Sequence, residues 1–219
     1  MGGLGDGDWR EFRKMSKANS NHLLRTWNKE IRRPRGLKIA ESDRQIAELY
    51  EAGESMIGIT GGNVFTSLGG NINLDYPANS TVTSCSIDIG CLSIERDCYY
   101  FASSLLILNL LRPWASTGIV NTQVSNGYRY APKAHPGDGF MEEIESNLDI
   151  RQATIARKKL ITGDHLPHPQ LRLKKGRSFT YDFTKAKKLI LDNRSIGRHK
   201  AFSVEVFPHA IQIIVGFSN

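Results

Sequence analysis

The chain has 219 residues, with 29 Lys and Arg against 22 Asp and Glu, a net charge of +7 and a pI near 9.4. An apolar content of 40% with 23% charged residues excludes a wholly disordered chain. No run reaches the roughly 18 to 20 uninterrupted apolar residues of a membrane-crossing helix. The length suits one large domain, or one ordinary domain with an appendage.

Residues 1–44 hold eleven Lys or Arg and six Asp or Glu, so most of the excess positive charge lies there. Leu23, Leu24, Trp27 and Ile31 recur at helical spacing and Pro34 follows, which predicts a basic helix ending at the proline. Such a helix either docks its stripe on the body or meets anionic headgroups, RNA or an acidic protein. A second helix is predicted over 42–52, with Ile46, Leu49 and Tyr50 on one face and Gly53 as its stop.

From residue 55 the pattern changes to strands. Met56-Ile57-Gly58-Ile59 is a short apolar run entering Thr60-Gly61-Gly62-Asn63. The segments 82–94 and 99–108 are rich in β-branched and aromatic residues. Phe179, Tyr181 and Phe183 alternate with polar residues, as do Phe202, Val204 and Val206, and then Ile211, Ile213, Val215 and Phe217. This period of two predicts an antiparallel sheet with one covered face, interrupted by one helix over 151–160. Cys85, Cys91 and Cys98 are odd in number and show no metal-ligand spacing. They are read as unpaired, small apolar residues in a reducing compartment, mitochondrial or cytoplasmic.

The stretch Pro132-Lys133-Ala134-His135-Pro136-Gly137-Asp138-Gly139-Phe140-Met141-Glu142 reads locally as a tight turn before a strand. It is followed in order by Gly163-Asp164-His165, by Asp192-Asn193-Arg194, and by Val206-Phe207-Pro208-His209-Ala210. Upstream stand Ile87-Asp88-Ile89-Gly90 and Tyr99-Tyr100-Phe101. This series resembles the C-terminal half of the diacylglycerol kinase/sphingosine kinase superfamily of lipid kinases over roughly residues 80–217. The family's patterns there are a P-x-A-x-x-D-G-x-x-D turn, a G-x-H element, a D-G-E turn and a closing V-x-P-x-A strand.

The resemblance implies a β-rich α+β fold, with a two-sheet antiparallel β-sandwich that holds a lipid. It implies a remnant of an α/β nucleotide-binding domain over 55–79 and the sandwich over 80–219, following the basic helical N-terminal arm that the pattern above gives over 1–54. It also implies ATP and Mg²⁺ as cofactors of any activity, with Asp138 and Glu142 as metal carboxylates and Asp192 as the base that takes the lipid hydroxyl proton. Thr60, Gly61, Gly62 and Asn63 stand where the family's G-T-x-N-D phosphate element lies.

The departures from the pattern are specific. No G-G-D-G-T phosphate loop is present, and some 55 residues precede Thr60 where the family's nucleotide half needs on the order of 100. Arg194 replaces the glutamate of D-G-E, a change of two charge units; at ~4 Å each unit pair counts for about 4 kcal/mol at an effective dielectric of 20. The sequence therefore points first to a degenerate relative, a non-catalytic lipid-binding or structural subunit that meets a lipid or membrane surface and protein partners. The alternatives are an active ATP- and Mg-dependent kinase of a diacylglycerol-like or sphingoid lipid, and a basic RNA-associated protein. Asp164, His165 and His168 do not form a metal site on this reading, because Pro167 and Pro169 forbid a helix that would converge them.

Overall fold

The computed structural model describes residues 28–70, 81–112, 114–125, 127–161 and 168–217. After a first short strand, β1 (Lys29–Arg32), two strands open the α/β part: β2 (Ile39–Ala40) and β3 (Met56–Ile59) pair in parallel, with helix α1 (Asp43–Glu51) crossing between them. Ser42 caps α1, its side chain accepting from the Gln45 N–H, and Gly53 stands just beyond its end at φ 88°. Helix α2 (Gly62–Ser67) follows β3 directly.

The remaining strands pair antiparallel with one another, and the end of β11 also pairs in parallel with β3: β4 (Thr81–Ile94), β5 (Asp97–Phe101), β6 (Ser104–Leu108), β7 (Thr117–Val120), β8 (Met141–Ser146), β9 (Leu171–Gly176), β10 (Ser178–Leu191) and β11 (Arg194–Phe217). Helix α3 (Ile150–Lys159) connects β8 to β9. With β1 (Lys29–Arg32), hydrogen bonding joins the strands into one eleven-stranded sheet whose main path runs β1-β4-β11-β10-β6-β7-β8-β9.

The long strands β4 and β11 pair along most of their length and serve two cores. Their outer halves, with Leu92, Phe202 and Val204, pack against Leu105, Met141 and Leu189. Their other halves, with Ile87, Ile89, Ile211 and Ile213, pack against Ile46 of α1 and Ile57 of β3. The register shift between Phe207 and Ile211 falls at the junction of the two cores. The sheet curls so far that Asn121, just past β7, donates to the Asp88 carbonyl in β4 at 2.8 Å.

Four readings of the sequence change. The basic helix ending at Pro34 lies mostly outside the described residues; within them Ile31 belongs to β1, paired with β4 through Ile31↔Val82. The start of β4 offers open backbone groups, and satisfying them outweighs a short helical stripe. The run 99–108 is two strands, broken at Ala102 and Ser103, whose N–H groups turn to another partner described below. Cys91 and Cys98 are joined in a disulfide, because the β4–β5 hairpin sets them on neighbouring strands with Cα atoms 5.9 Å apart. Cys85 alone remains a buried free thiol, its pKa pushed up to about 12 by burial. Finally, the segment read as wholly helical before residue 55 also holds strand β2, which pairs in parallel with β3, and Ala40 and Ile46 share a core with Ile57 and Ile59.

Candidate functional site

Two clusters of buried acids mark the junction of the cores. The first is built on the β10–β11 turn. Asp192 and Asn193 both adopt left-handed backbone, at φ 41° and 67°, the geometry of a two-residue hairpin turn matching the twist of the strands. That turn is buried rather than exposed at Asp192. The Asp192 carboxylate accepts from the N–H groups of Ala102, Ser103 and Ser104 at 2.7, 3.0 and 2.8 Å. Burial, and then the neighbouring Asp43 charge, raise its pKa to about 7, against the pull of those three donors.

Asp43, in the first turn of α1, reaches across to α2. Its two carboxylate oxygens accept from the N–H groups of Asn63 and Val64, both at 2.9 Å. Gly61, the N-cap of α2, has no side chain to do this, so a residue some twenty positions earlier supplies the cap. The arrangement needs glycine at 62: its φ is 95°, and a Cβ there would collide with the Asp43 carboxylate. Burial raises the Asp43 pKa, its hydrogen bonds opposing. Asn63 Nδ2 extends the network to Ser103 Oγ at 3.2 Å, and Ser103 Oγ meets Thr122 Oγ1 at 3.2 Å.

The second cluster centres on Asp88 in β4, which is fully buried. It accepts from Gly139 N–H at 2.7 Å and from His209 N–H at 2.8 Å, pinning the 136–139 turn and the β11 bulge to one strand. His209 sits at φ 50° within that bulge. Asp138 lies alongside, one oxygen accepting from Phe140 N–H at 3.0 Å and the other paired with Lys175 Nζ at 2.6 Å. Glu142 stands opposite Lys175 in the β8–β9 ladder. Burial raises its pKa, while Lys175 and Lys133 lower it and Asp138 raises it further. His135 is pushed down by burial, with Asp138 opposing.

The sequence-predicted residues thus fall in two places. Asp138 and Glu142 come together, with the Lys175 ammonium beside them. Asp192 joins Asn63 and the unforeseen Asp43 instead. Asn121 links the two clusters, donating from Nδ2 to Asp88 O and to Ala102 O at 2.8 and 3.0 Å. Gly163, Asp164 and His165 lie outside the described residues.

The donor set at Asp138 does not fit Mg²⁺. One carboxylate oxygen already faces an ammonium, and the buried Asp88 carboxylate is satisfied by backbone N–H groups. Among the described residues no group of three or more His, Cys, Asp or Glu is placed to hold a metal ion.

No protein-family model matches the sequence, and no curated protein matches it. Solved structures do. One from Bacillus anthracis str. Sterne, described as a diacylglycerol kinase, superposes with a TM-score of 0.60 at 10% identity, covering 82% of this chain and 78% of that one. The fold is diacylglycerol kinase-like. A second structure from the same organism gives a TM-score of 0.54 at 11% identity over 74% of this chain and 69% of its own. A third gives 0.52 at 10% identity, over 74% and 67%. Likeness at this identity is a likeness of fold.

Asp43 opens α1 just after the short β2–α1 connection, Glu41 and Ser42. Its legible signal is the Ser42 cap, whose Oγ accepts from Gln45 N–H, while Gln45 Oε1 accepts from Glu41 N–H at 2.6 Å, so the segment reads as a helix start.

Proposed function

We propose that this chain is a diacylglycerol kinase-like protein that handles lipid without transferring phosphate, acting as a lipid-binding or structural subunit of a larger assembly. One observation carries the reading: the Asp43 carboxylate holds the N–H groups of Asn63 and Val64. Backbone donors at a strand-to-helix turn are the groups that cradle a polyphosphate. Here a carboxylate uses them, and a second anion placed ~4 Å from it would meet a repulsion of about 4 kcal/mol at an effective dielectric of 20. Three further features support it. Asp192, the residue in the position of a base, spends its carboxylate on three backbone donors. Asp138 is paired with a lysine, and Arg194 brings positive charge beside the turn where the family carries an acid.

On this reading the curled strand layer works as a two-sheet sandwich, the core of Leu92, Phe101, Met141 and Phe179 forming its interior. ATP and Mg²⁺ are then not cofactors of this chain. Titration of purified protein with ATP–Mg²⁺, followed by calorimetry and thermal shift, tests the proposal together with an assay of phosphate transfer to diacylglycerol. No heat, no shift and no product are expected. Micromolar binding or measurable turnover would overturn it in favour of the active lipid kinase.

A further inference from the structure

We propose that the outward side of α3, together with the β6–β7 turn, docks onto the surface of an anionic lipid bilayer. A surface helix ordinarily turns its large apolar side chains inward. Helix α3 does the reverse. Its body-facing positions are small or polar, with Ala156 buried and Gln152 and Ala153 half-buried, whereas Ile150 and Ile155 are each 59% exposed and Ile161 just beyond is 63% exposed.

The same end of the sheet presents more apolar surface. Ser146 at the end of β8 donates from Oγ to Trp114 O at 2.7 Å and from N to Ser116 O at 3.0 Å, which sets the β6–β7 turn beside the segment entering α3. That turn carries Leu110 at 50% and Leu111 at 84% exposure. Five large apolar side chains standing in water on two adjacent elements are costly unless something covers them.

Charge decides the occupant. From Ile150 to Ile161 there is no acidic residue, while Arg151, Arg157, Lys158 and Lys159 are all exposed, and Arg112 is exposed in the turn. The helix start is neutralised locally by the Asp149 capping box with Gln152. Isoleucines mixed with cations match a membrane interface, where apolar groups enter the acyl boundary and long basic side chains reach the phosphates. RNA would use the cations and leave the isoleucines unsatisfied. The inference rests on the lipid-handling reading above only in its choice of surface; it requires neither ATP nor its absence.

The test is co-sedimentation of the full chain with phosphatidylcholine vesicles containing about 30% phosphatidylserine, against pure phosphatidylcholine. Binding to the anionic vesicles is expected, weakening with salt. The double variant Ile155→Asp with Leu111→Asp should lower the partition coefficient at least about tenfold, since burial of each side chain is worth that much or more. Arg151→Glu with Lys158→Glu should abolish the preference for phosphatidylserine. Both isoleucine and leucine are exposed, so the fold should survive, checked by thermal melting; if Ile155→Asp fails that check, Leu111→Asp alone decides. Unchanged binding of the folded apolar variants, absence of vesicle binding, or RNA retention without vesicle binding would each overturn the proposal. ATP turnover with vesicle binding intact would instead sink the non-catalytic reading and leave this one standing.

Discussion

Replacing Asp192 separates a structural staple from a proton acceptor. Its carboxylate is buried and holds the N–H groups of Ala102, Ser103 and Ser104. Asp192→Ala orphans these donors, each at a cost of roughly 1 to 3 kcal/mol when buried; relaxation and removal of a buried charge offset part, leaving about 3 to 5 kcal/mol. Asp192→Asn keeps one acceptor and removes the ionisation. The folded pKa of about 7 lies above the ordinary aspartate value of 3.8. The unfolded chain therefore releases its proton first, and the folded state is favoured most below pH 3.8. That advantage is lost as pH rises to about 7, a change of about 4 kcal/mol at 1.36 kcal/mol per unit. Urea unfolding of wild type and both variants at pH 5 and pH 8 reads both effects. From pH 5 to pH 8 the wild type should lose about 2.7 kcal/mol relative to Asp192→Asn, the two units between pH 5 and the folded pKa of about 7. A loss under 1 kcal/mol in Asp192→Ala, or a gap independent of pH, would refute the reasoning.

Asp43→Ala leaves the Asn63 and Val64 donors without a partner at a helix start and should lower stability by about 2 to 4 kcal/mol, measured by chemical denaturation; it should also lower the Asp192 pKa, seen by NMR titration. Gly62→Ala forces a Cβ onto the Asp43 carboxylate at a left-handed backbone position, and a loss of at least about 2 kcal/mol in thermal unfolding is expected. Gly90→Ala meets the Phe101 ring in the β4–β5 hairpin; a loss of about 1 to 3 kcal/mol is expected from overpacking. Lys175→Ala removes the partly exposed pair with Asp138 and should cost less than about 1 kcal/mol, while raising the Glu142 pKa further because a favourable charge has gone.

Much of the architecture was legible from local pattern. Alternation at Phe179, Tyr181 and Phe183 and at Phe202, Val204 and Val206 marked strands because a half-buried strand must place every second side chain inward. The Ser42 cap and Gly53 bounded α1 because backbone donors and acceptors at helix ends must be satisfied locally. The ordered motifs of the C-terminal half carried the resemblance that the superposition supports at the level of fold. Other features depended on partners distant in sequence. Ile31 is a strand residue only because β4 offers an open edge; its own neighbours favour a helical stripe. Asp43 reads as an ordinary first-turn acid until α2 is seen to present its N–H groups, and Asp192 reads as a turn residue until the β5–β6 break folds over it. Cys91 and Cys98 are seven positions apart, and only the hairpin register brings their sulfurs within bonding reach. Period and capping are written in residues a few positions apart, so the chain states them outright. The use to which a buried carboxylate is put depends on which distant donors the tertiary fold delivers to it.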